Sequence, residues 1–373
     1  MRMKNWYAAI DTHSGGEPLR IVTGGLPPLE GASLRERTEF FRRNFDAVRK
    51  LLLAEPRGHG AMTGAVVTAP VTKEARFGLL FLDQEGLSAI SGHGIIAAVA
   101  AWTATGQLEP SKAAAGILID CPAGTVRAVA DCEGGEVRLV TVESVPSFVY
   151  AAPFRVNVEG AEVRIDIAFS GEMYAVADAS SLLAGVSGGY PLPKLREWAR
   201  LIREAAEGRL QVEHPLADGN GRIYGVFFYR REAEYDGRCE PHIEPHAEAH
   251  VETCLESRLK ARADDRPDDR DSSGIVYRSA AVFAGEQLDR SPGGAGVCAH
   301  LAVLYSRGLL ARGQQVVYEG ITGAQAVGSI AGETAASGRR VVIPRFTGTA
   351  HVLGFMNFLL DPADPLPEGF ILN

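Results

Sequence analysis

The sequence predicts an α+β fold built from two similar halves. Short apolar or alternating runs bounded by Gly, Pro or Asp recur along the 373-residue chain, as β-strands do. Two continuous apolar runs, residues 95–102 and 297–304, each follow a Gly-rich turn and predict buried helices. Strands that surround one buried helix in each half are the packing of an α+β protein.

Length and composition describe a globular protein with free thiols. A chain of 373 residues with 46% hydrophobic and 23% charged residues is long enough for two domains with ample cores. Its five cysteines are irregularly spaced and do not form a disulfide framework. We therefore expect a soluble cytoplasmic protein.

Charge and hydropathy argue against two classes of partner. The formal net charge of −8 disfavours a nucleic-acid partner, which would need a basic patch. No apolar run approaches the roughly 20 residues of a membrane span. The apolar stretch after the basic N-terminus ends at Asp11, too early for a signal peptide.

The first half opens with a strand, a turn and a strand. Residues 7–10 are apolar, residues 19–22 are apolar except for Arg20, and the segment between them is dense in Ser, Gly and Pro. His13 and Glu17 lie in this turn, where they either contact a ligand or only shape the turn. Aromatic and aliphatic residues at helical spacing then predict a helix over 33–53. Further strands are predicted at 64–68 and 77–81, and three short strands, typical of antiparallel pairs, at 116–119, 125–129 and 136–140.

The second half repeats this order around the second apolar run. A helix is predicted over 193–209, and strands at 163–169, 171–178, 222–229, 275–283, 315–318, 326–330, 339–344 and 351–355. The repeat predicts one lobe from residues 1–153 plus about 346–373, and a second lobe from residues 154–345.

A charged segment at about residues 230–273 interrupts the second lobe. Its composition predicts a solvated insertion. Pro241 and Pro245 weaken any helix there, and the ligand spacing fits no familiar zinc motif. The sequence therefore favours the insertion over a metal site. The alternative is a zinc site formed by Cys239, His242, His246, His250 and Cys254.

The Gly-rich turns are the strongest candidates for a ligand site. The first reads Ser91-Gly92-His93-Gly94, and the second reads Gly293-Gly294-Ala295-Gly296 at matching offsets. The first backbone N–H groups of a helix have no internal partner and carry partial positive charge, so they bind anions. Two such turns at equivalent places favour one anionic ligand held between the halves.

Four ordered motifs resemble those of the proline racemase family, which includes 4-hydroxyproline 2-epimerases and trans-3-hydroxy-L-proline dehydratases. The family pattern Asp-x-His-Thr-x-Gly-Glu-Pro-x-Arg is similar to residues 11–20, and Pro-Arg-Gly-His is similar to residues 56–59. The two catalytic motifs, Cys-Gly-His-Gly and Asp-Arg-Ser-Pro-Cys-Gly-Thr-Gly, are similar to residues 91–94 and 289–296.

This resemblance implies a diaminopimelate-epimerase-like fold, in which each lobe wraps a sheet around a central helix and a small imino acid binds in the cleft. It implies an acid–base residue on each face of the substrate Cα and no cofactor. It leaves a homodimer open as the oligomeric state. The implied substrate-binding residues are Asp289 at the imino nitrogen, the backbone of Gly92, His93, Gly294 and Ala295 at the carboxylate, and His214 and Asp218 near the ring substituent.

Two departures from the family pattern bear on the reaction. Ser91 and Gly293 stand where the family has its two catalytic cysteines. Racemisation needs a base on each face of Cα, and glycine offers none. Cys298 lies about one turn further along the helix, at roughly 1.5 Å rise per residue, and is expected to face the core, so it is no substitute. His300, about two turns along at the same rise, is expected to be a satisfied core histidine.

The sequence therefore favours α,β-elimination of water from trans-3-hydroxy-L-proline to give Δ1-pyrroline-2-carboxylate. Ser91 would be the base, with help from His93 or a bound water, because a serine hydroxyl is a weak acid that needs assistance. Open space at Gly293 is expected to admit a water or a bulkier substituent. The alternatives are a 4-hydroxyproline 2-epimerase or racemase-like isomerase, an imino-acid-binding paralogue that has lost catalysis, and a different reaction on a related imino acid.

Overall fold

The chain has an α+β fold, as predicted, and its strands form one continuous mixed sheet. The computed structural model describes residues 5–186, 189–210, 215, 221–232, 275–336 and 339–372. Eighteen strands within these ranges hydrogen-bond into a single sheet, and five helices pack against it. None of these described helices is long and apolar enough to cross a membrane.

The first half contains a strand pair, an outer helix and a second group of strands around a buried helix. In chain order its elements are β1 (Asn5–Ser14), β2 (Glu17–Gly24), α1 (Leu34–Leu53), β3 (Thr63–Thr68), β4 (Ala75–Leu82), β5 (Leu87–Ser88), α2 (Gly92–Ala104), α3 (Pro110–Ala115), β6 (Ile117–Cys121), β7 (Gly124–Glu133) and β8 (Glu136–Glu143).

The second half follows the same plan and is closed by a last strand. Its elements are β9 (Phe148–Val158), β10 (Ala161–Phe169), β11 (Met173–Asp178), α4 (Leu192–Glu207), β12 (Gly225–Arg231), β13 (Ile275–Phe283), β14 (Gln287–Asp289), α5 (Gly294–Ser306), β15 (Val316–Glu319), β16 (Gln325–Ala336), β17 (Arg339–Gly348) and β18 (His351–Leu360).

Strand pairing confirms that the two halves are alike. The parallel pair β2–β3 and the outer helix α1 correspond to β11–β12 and α4. The parallel pair β4–β6, joined through α2, corresponds to β13–β15, joined through α5. β8 and β17 pair with each other and connect the halves. The predicted lobe boundaries fall inside β9 and β17, and they stay a prediction.

The three short strands expected to be antiparallel are so with one another, since β6 pairs antiparallel with β7 and β7 with β8, but the first half also contains parallel pairs. β6 runs parallel to β4, and β3 runs parallel to β2. A parallel neighbour needs a crossover of about a dozen residues or more, usually a helix, and α2 and α1 supply those crossovers.

The two central helices are buried on nearly all sides, as their uninterrupted apolar composition predicts. Ile95 to Val99 in α2 and Val297 to Leu304 in α5 are buried, and both helices belong to one continuous hydrophobic cluster. The amphipathic helices α1 and α4 instead cover two separate outer clusters. The core therefore holds the N-termini of α2 and α5 in fixed positions.

Candidate functional site

The N-termini of the two buried helices meet. A Cβ atom placed on Gly92, the first residue of α2, would lie 2.8 Å from the Cα of Gly294, the first residue of α5, and the reverse distance is also 2.8 Å. Real Cβ atoms do not approach other atoms so closely, so both positions need glycine for this contact. Two positive helix ends thus converge at one point.

A buried cavity of about 30 Å³ lies beside this contact. Six predicted site residues line it, and both halves of the chain contribute. They are Ser91, Gly92, His93, Asp289, Gly294 and Ala295. Predicted residues His214 and Asp218 lie outside the described residues, as do all five cysteine and histidine residues of the alternative zinc site.

Ser91 is both the cap of α2 and a wall of the cavity. Its backbone is extended, and its Oγ accepts a hydrogen bond from the N–H of Gly94 at 3.2 Å. The same Oγ lies 3.4 Å from each ring nitrogen of His93. The serine hydroxyl is therefore held between the helix terminus and an imidazole.

His93 is a neutral imidazole at neutral pH. It lies in the first turn of α2, and burial lowers its pKa to about 4. Its Nε2 is 3.2 Å from the Oγ1 of Thr63. A neutral ring has one lone-pair nitrogen, so His93 can accept a proton from a neighbour.

Asp289 supplies a buried carboxylate on the opposite side of the cavity. Burial raises its pKa to about 6, and hydrogen bonds from Ser291 oppose that rise. Its Oδ1 accepts from the Ser291 N–H at 2.8 Å and from the Ser291 hydroxyl at 2.7 Å. Near neutral pH the group is mainly ionised, and a cationic nitrogen in the cavity would stabilise that form further.

Glu17 is a second buried carboxyl group next to this arrangement. Its Oε2 accepts a hydrogen bond from the backbone N–H of Arg290 at 2.8 Å, and its Oε1 has no partner in the described part of the chain. Burial raises its pKa well above the usual value, and the charge of Asp289 raises it further. Both effects favour the neutral form of Glu17, and the Arg290 guanidinium, 3.6 Å from its Oε2, opposes them. It lines neither of the two cavities described at the helix N-termini.

Gly293 lines a second, smaller cavity of about 20 Å³ that shares His93 and Gly294 with the first. That volume is room for about one water molecule. A Cβ on Gly293 would lie 3.3 Å from the Phe227 ring and 3.4 Å from Ala281. The expected space at Gly293 is therefore about the size of one water and not of a bulkier substituent, because Phe227 on β12 and Ala281 on β13 crowd the direction of its Cβ.

The two residues further along α5 lie in the core, as predicted. Cys298 is fully buried, and burial raises the pKa of its thiol to about 12. His300 stacks on Tyr229, and its Nδ1 lies 3.1 Å from the Tyr318 hydroxyl. Its Nε2 has no partner among the residues described, so this histidine is only half satisfied.

Several residues that line the first cavity were not foreseen. Thr63 begins β3, and Tyr174 and Tyr224 come from the second half. The Tyr224 hydroxyl donates to Asp83 Oδ2 at 3.0 Å and ties the end of β4 to the second half. Of these three residues, only Thr63 had a signal in the sequence, which is its position shortly after the motif at residues 56–59. The tyrosines reach the cavity through strand pairing, which local patterns do not reveal.

The fold and this cavity define a two-lobe enzyme whose opposed helix N-termini can hold the carboxylate of a small substrate. The chain belongs to the proline racemase family, since the family model described as "Proline racemase" matches residues 9–250 and 257–371.

The chain is similar over its full length to curated relatives with two different activities. A trans-3-hydroxy-L-proline dehydratase from Bacillus cereus is 35% identical over 374 residues, covering 100% of both chains. A proline racemase from Clostridioides difficile is 32% identical over 374 residues with the same coverage. The fold matches that of a hydroxyproline epimerase from Agrobacterium vitis, solved with trans-4-hydroxy-L-proline bound. The TM-score is 0.80 and the identity 26%, over 100% of this chain and 96% of the other.

Proposed function

We propose that this protein eliminates water from trans-3-hydroxy-L-proline to form Δ1-pyrroline-2-carboxylate. One observation carries the proposal. Ser91 presents a hydroxyl to the cavity from the cap of α2, whereas the equivalent cap of α5, Gly293, has no side chain. A site with an acid–base side chain on one helix only suits elimination, which needs one base at Cα, better than racemisation.

The substrate carboxylate would bind where the two helices meet. The first helical hydrogen bonds run from Ile95 to the Ser91 carbonyl and from Val297 to the Gly293 carbonyl. The backbone N–H groups before them, at Gly92, His93, Gly294 and Ala295, are those that a carboxylate can use. Asp289 would hold the cationic imino nitrogen on the other side of the ring.

The elimination balances with these groups. Ser91 Oγ takes the α-proton while the Ser91 hydroxyl proton passes to His93. The electrons of the Cα–H bond form the Cα=Cβ bond, and the C3–O bond breaks as the C3 hydroxyl takes the proton held by His93 and leaves as water. The enamine product then tautomerises to Δ1-pyrroline-2-carboxylate. The protein gains the α-proton and gives one proton to the leaving C3 hydroxyl, so it ends the cycle unchanged.

The relatives support the substrate class. The Bacillus cereus relative is named for this dehydration, and it aligns with the whole chain. The proline racemase and hydroxyproline epimerase relatives act, by name, on the same kind of cyclic imino acid. The site has a small cavity, one buried carboxylate and two helix termini, which fit the charges of such a substrate.

A second candidate is epimerisation of 4-hydroxyproline at Cα. The cavity beside Gly293 has room for about one water, and it touches His93 and Gly294. A water there could act on the second face of Cα, with Ser91 on the first.

Proton NMR in D2O separates these reactions. Trans-3-hydroxy-L-proline, trans-4-hydroxy-L-proline and L-proline are each incubated with the protein. We expect only the 3-hydroxy compound to be consumed, with a pyrroline product. Inversion and deuteration of the 4-hydroxy compound would favour epimerisation. Absence of any change in all three, with pyrrole-2-carboxylate still bound, would overturn both candidates in favour of a binding protein.

A further inference from the structure

We propose that Thr63 is a positioning residue that fixes the tautomer of His93 and so leaves its Nδ1 free to accept the proton of Ser91. This inference rests on the proposed role of Ser91 as the base. No sequence motif pointed to it, because Thr63 and His93 belong to different secondary-structure elements, the strand β3 and the helix α2.

Strand pairing places the Thr63 hydroxyl against a backbone carbonyl. β3 runs parallel to β2 with Thr63 beside Leu19, so that Thr63 Oγ1 lies 2.5 Å from the carbonyl oxygen of Pro18. A carbonyl oxygen only accepts hydrogen bonds, so the threonine hydroxyl must donate its single hydrogen to it. Thr63 is itself buried, with 3% of its surface exposed, and the Pro18 carbonyl oxygen is its closest hydrogen-bond acceptor.

The direction of that bond determines the protonation of His93. Thr63 Oγ1 also lies 3.2 Å from His93 Nε2, and its only hydrogen is already used. The contact is therefore a hydrogen bond only if Nε2 carries a hydrogen and donates it. The buried ring is neutral and has one N–H, so Nδ1 is left with a lone pair.

The contact with Thr63 is needed to select one tautomer, because the distances to Ser91 do not distinguish the two ring nitrogens of His93. Ser91 Oγ is 3.4 Å from Nδ1 and 3.4 Å from Nε2. With Nε2–H donated to Thr63, only Nδ1 can accept from Ser91. The Oγ already accepts from Gly94 N–H, so its own hydrogen is free for Nδ1. Hydrogen bonds then run in one direction from Gly94 through Ser91, His93 and Thr63 to the Pro18 carbonyl.

The other tautomer would disrupt this chain at two points. An Nδ1–H group would compete with the Ser91 hydrogen, and an Nε2 lone pair would face the Thr63 oxygen without a hydrogen between them. The Thr63 contact is buried and the Ser91 contact is partly buried, so the other tautomer would lose both hydrogen bonds and gain little in exchange. Removal of the Thr63 hydroxyl removes the preference and lets His93 populate both tautomers.

The test compares Thr63→Val, which keeps the shape but not the hydroxyl, with Thr63→Ser, which keeps the hydroxyl. Nitrogen NMR of the protein labelled with ¹⁵N-histidine reports the tautomer directly, and the His93 signals are assigned by their loss in His93→Gln. We expect the Nε2–H tautomer in the wild-type and Thr63→Ser proteins and a mixture in Thr63→Val. We expect kcat for elimination to fall about 10- to 100-fold in Thr63→Val, with KM little changed, and Thr63→Ser to restore most of it.

Two outcomes overturn the inference. The first is an unchanged His93 tautomer and kcat in Thr63→Val. The second is an equal loss of kcat in Thr63→Ser and Thr63→Val, which would indicate a packing role. The NMR measurement needs no turnover, so failure of the proposed function remains distinguishable. A wild-type protein with the Nε2–H tautomer but no elimination activity would refute the function and leave the positioning by Thr63 intact.

Discussion

Ser91 and Gly293 occupy the same cap position on two equivalent helices, but their backbone φ angles have opposite signs. Ser91 has an extended backbone with φ −137°, and its side chain caps α2. Gly293 has a left-handed backbone with φ 89° and offers no side-chain cap to α5. The two halves are therefore alike in topology and unlike in the chemistry that they present to the cavity. The following predictions test that difference.

Replacing Ser91 with alanine should remove catalysis and weaken the helix cap together. We expect a loss of about 100-fold or more in kcat, the usual contribution of a general base. We also expect a loss of about 1 kcal/mol in the free energy of unfolding, because the bond to Gly94 N–H disappears. Turnover of trans-3-hydroxy-L-proline and urea unfolding measure the two effects.

The matched control for Ser91 is Ser33→Ala. Ser33 caps α1 in the same way, through a 3.2 Å bond from the N–H of Glu36, and it lines neither cavity. It should lose similar stability and keep its kcat. Equal kcat values for the two variants would refute the catalytic role of Ser91.

Replacing Gly293 with cysteine should not create a racemase. The left-handed backbone costs a residue with a side chain about 1–2 kcal/mol, and the new Cβ would press on Phe227 and Ala281. Gly308→Ala is the control, since Gly308 also has a positive φ of 70° but nothing lies near its Cβ direction. We expect Gly293→Cys to unfold at a lower urea concentration than Gly308→Ala. Racemisation of proline by Gly293→Cys would contradict the crowding at this cap.

The activity should rise with pH as Asp289 ionises. Its pKa of about 6 is raised by burial, and its carboxylate form is needed to hold the imino nitrogen. We expect kcat/KM to rise around pH 6 with the pH dependence of a single ionising group, since His93 titrates well below this pH. A profile that is flat through pH 6 would show that Asp289 does not bind the substrate nitrogen in its ionised form.

The raised pKa of Asp289 also determines how its contribution to the free energy of unfolding changes with pH. The folded protein binds a proton at Asp289 between the ordinary carboxyl pKa near 4 and the folded value of about 6, whereas the unfolded chain does not. This group therefore contributes stability at low pH that is lost as the pH rises through about 6. The difference in unfolding free energy between the wild type and Asp289→Asn, followed against pH, measures it. A contribution that grew with rising pH in this window would contradict a raised pKa.

Replacing Glu17 with glutamine should have little effect at neutral pH. Burial and the nearby charge of Asp289 raise the pKa of Glu17 and so favour its neutral form, and glutamine has the same shape without a charge. We expect kcat/KM close to that of the wild type. Asp289→Asn is the contrasting variant, which should lose most of its kcat/KM. A loss in Glu17→Gln as large as in Asp289→Asn would mean that Glu17 works as an ionised or proton-donating group.

The parts of this structure that could be predicted from sequence are those with local causes. The buried helices, the amphipathic α1 and the glycine turns at residues 91 and 293 follow from composition and periodicity. β9 was not delimited, because its run from Phe148 to Val158 lacks a clear alternation. The short helix α3, Pro110–Ala115, was missed because six residues show no period. Pairings such as β4 with β6 depend on contacts between residues far apart in sequence.

The candidate site divides in the same way. The helix N-termini could be found from glycines and the apolar runs behind them, and Asp289 from the resemblance of residues 289–296 to the second family motif. Tyr174 and Tyr224 could not, because they reach the cavity through strand register, and Thr63 had only its place shortly after the motif at residues 56–59 as a signal. The crowding at Gly293 was also hidden, since it comes from Phe227 on a strand of another part of the chain.

In the proposed reaction a base contacts one face of the substrate Cα, and no acid–base side chain contacts the other face. The most direct test is to stop the reaction of trans-3-hydroxy-L-proline in D2O part-way and determine the Cα configuration of the substrate that remains. We expect conversion to Δ1-pyrroline-2-carboxylate and a residual substrate that keeps its original configuration at Cα. Accumulation of deuterated cis-3-hydroxy-D-proline would contradict it, because inversion requires a working acid on the face of Gly293.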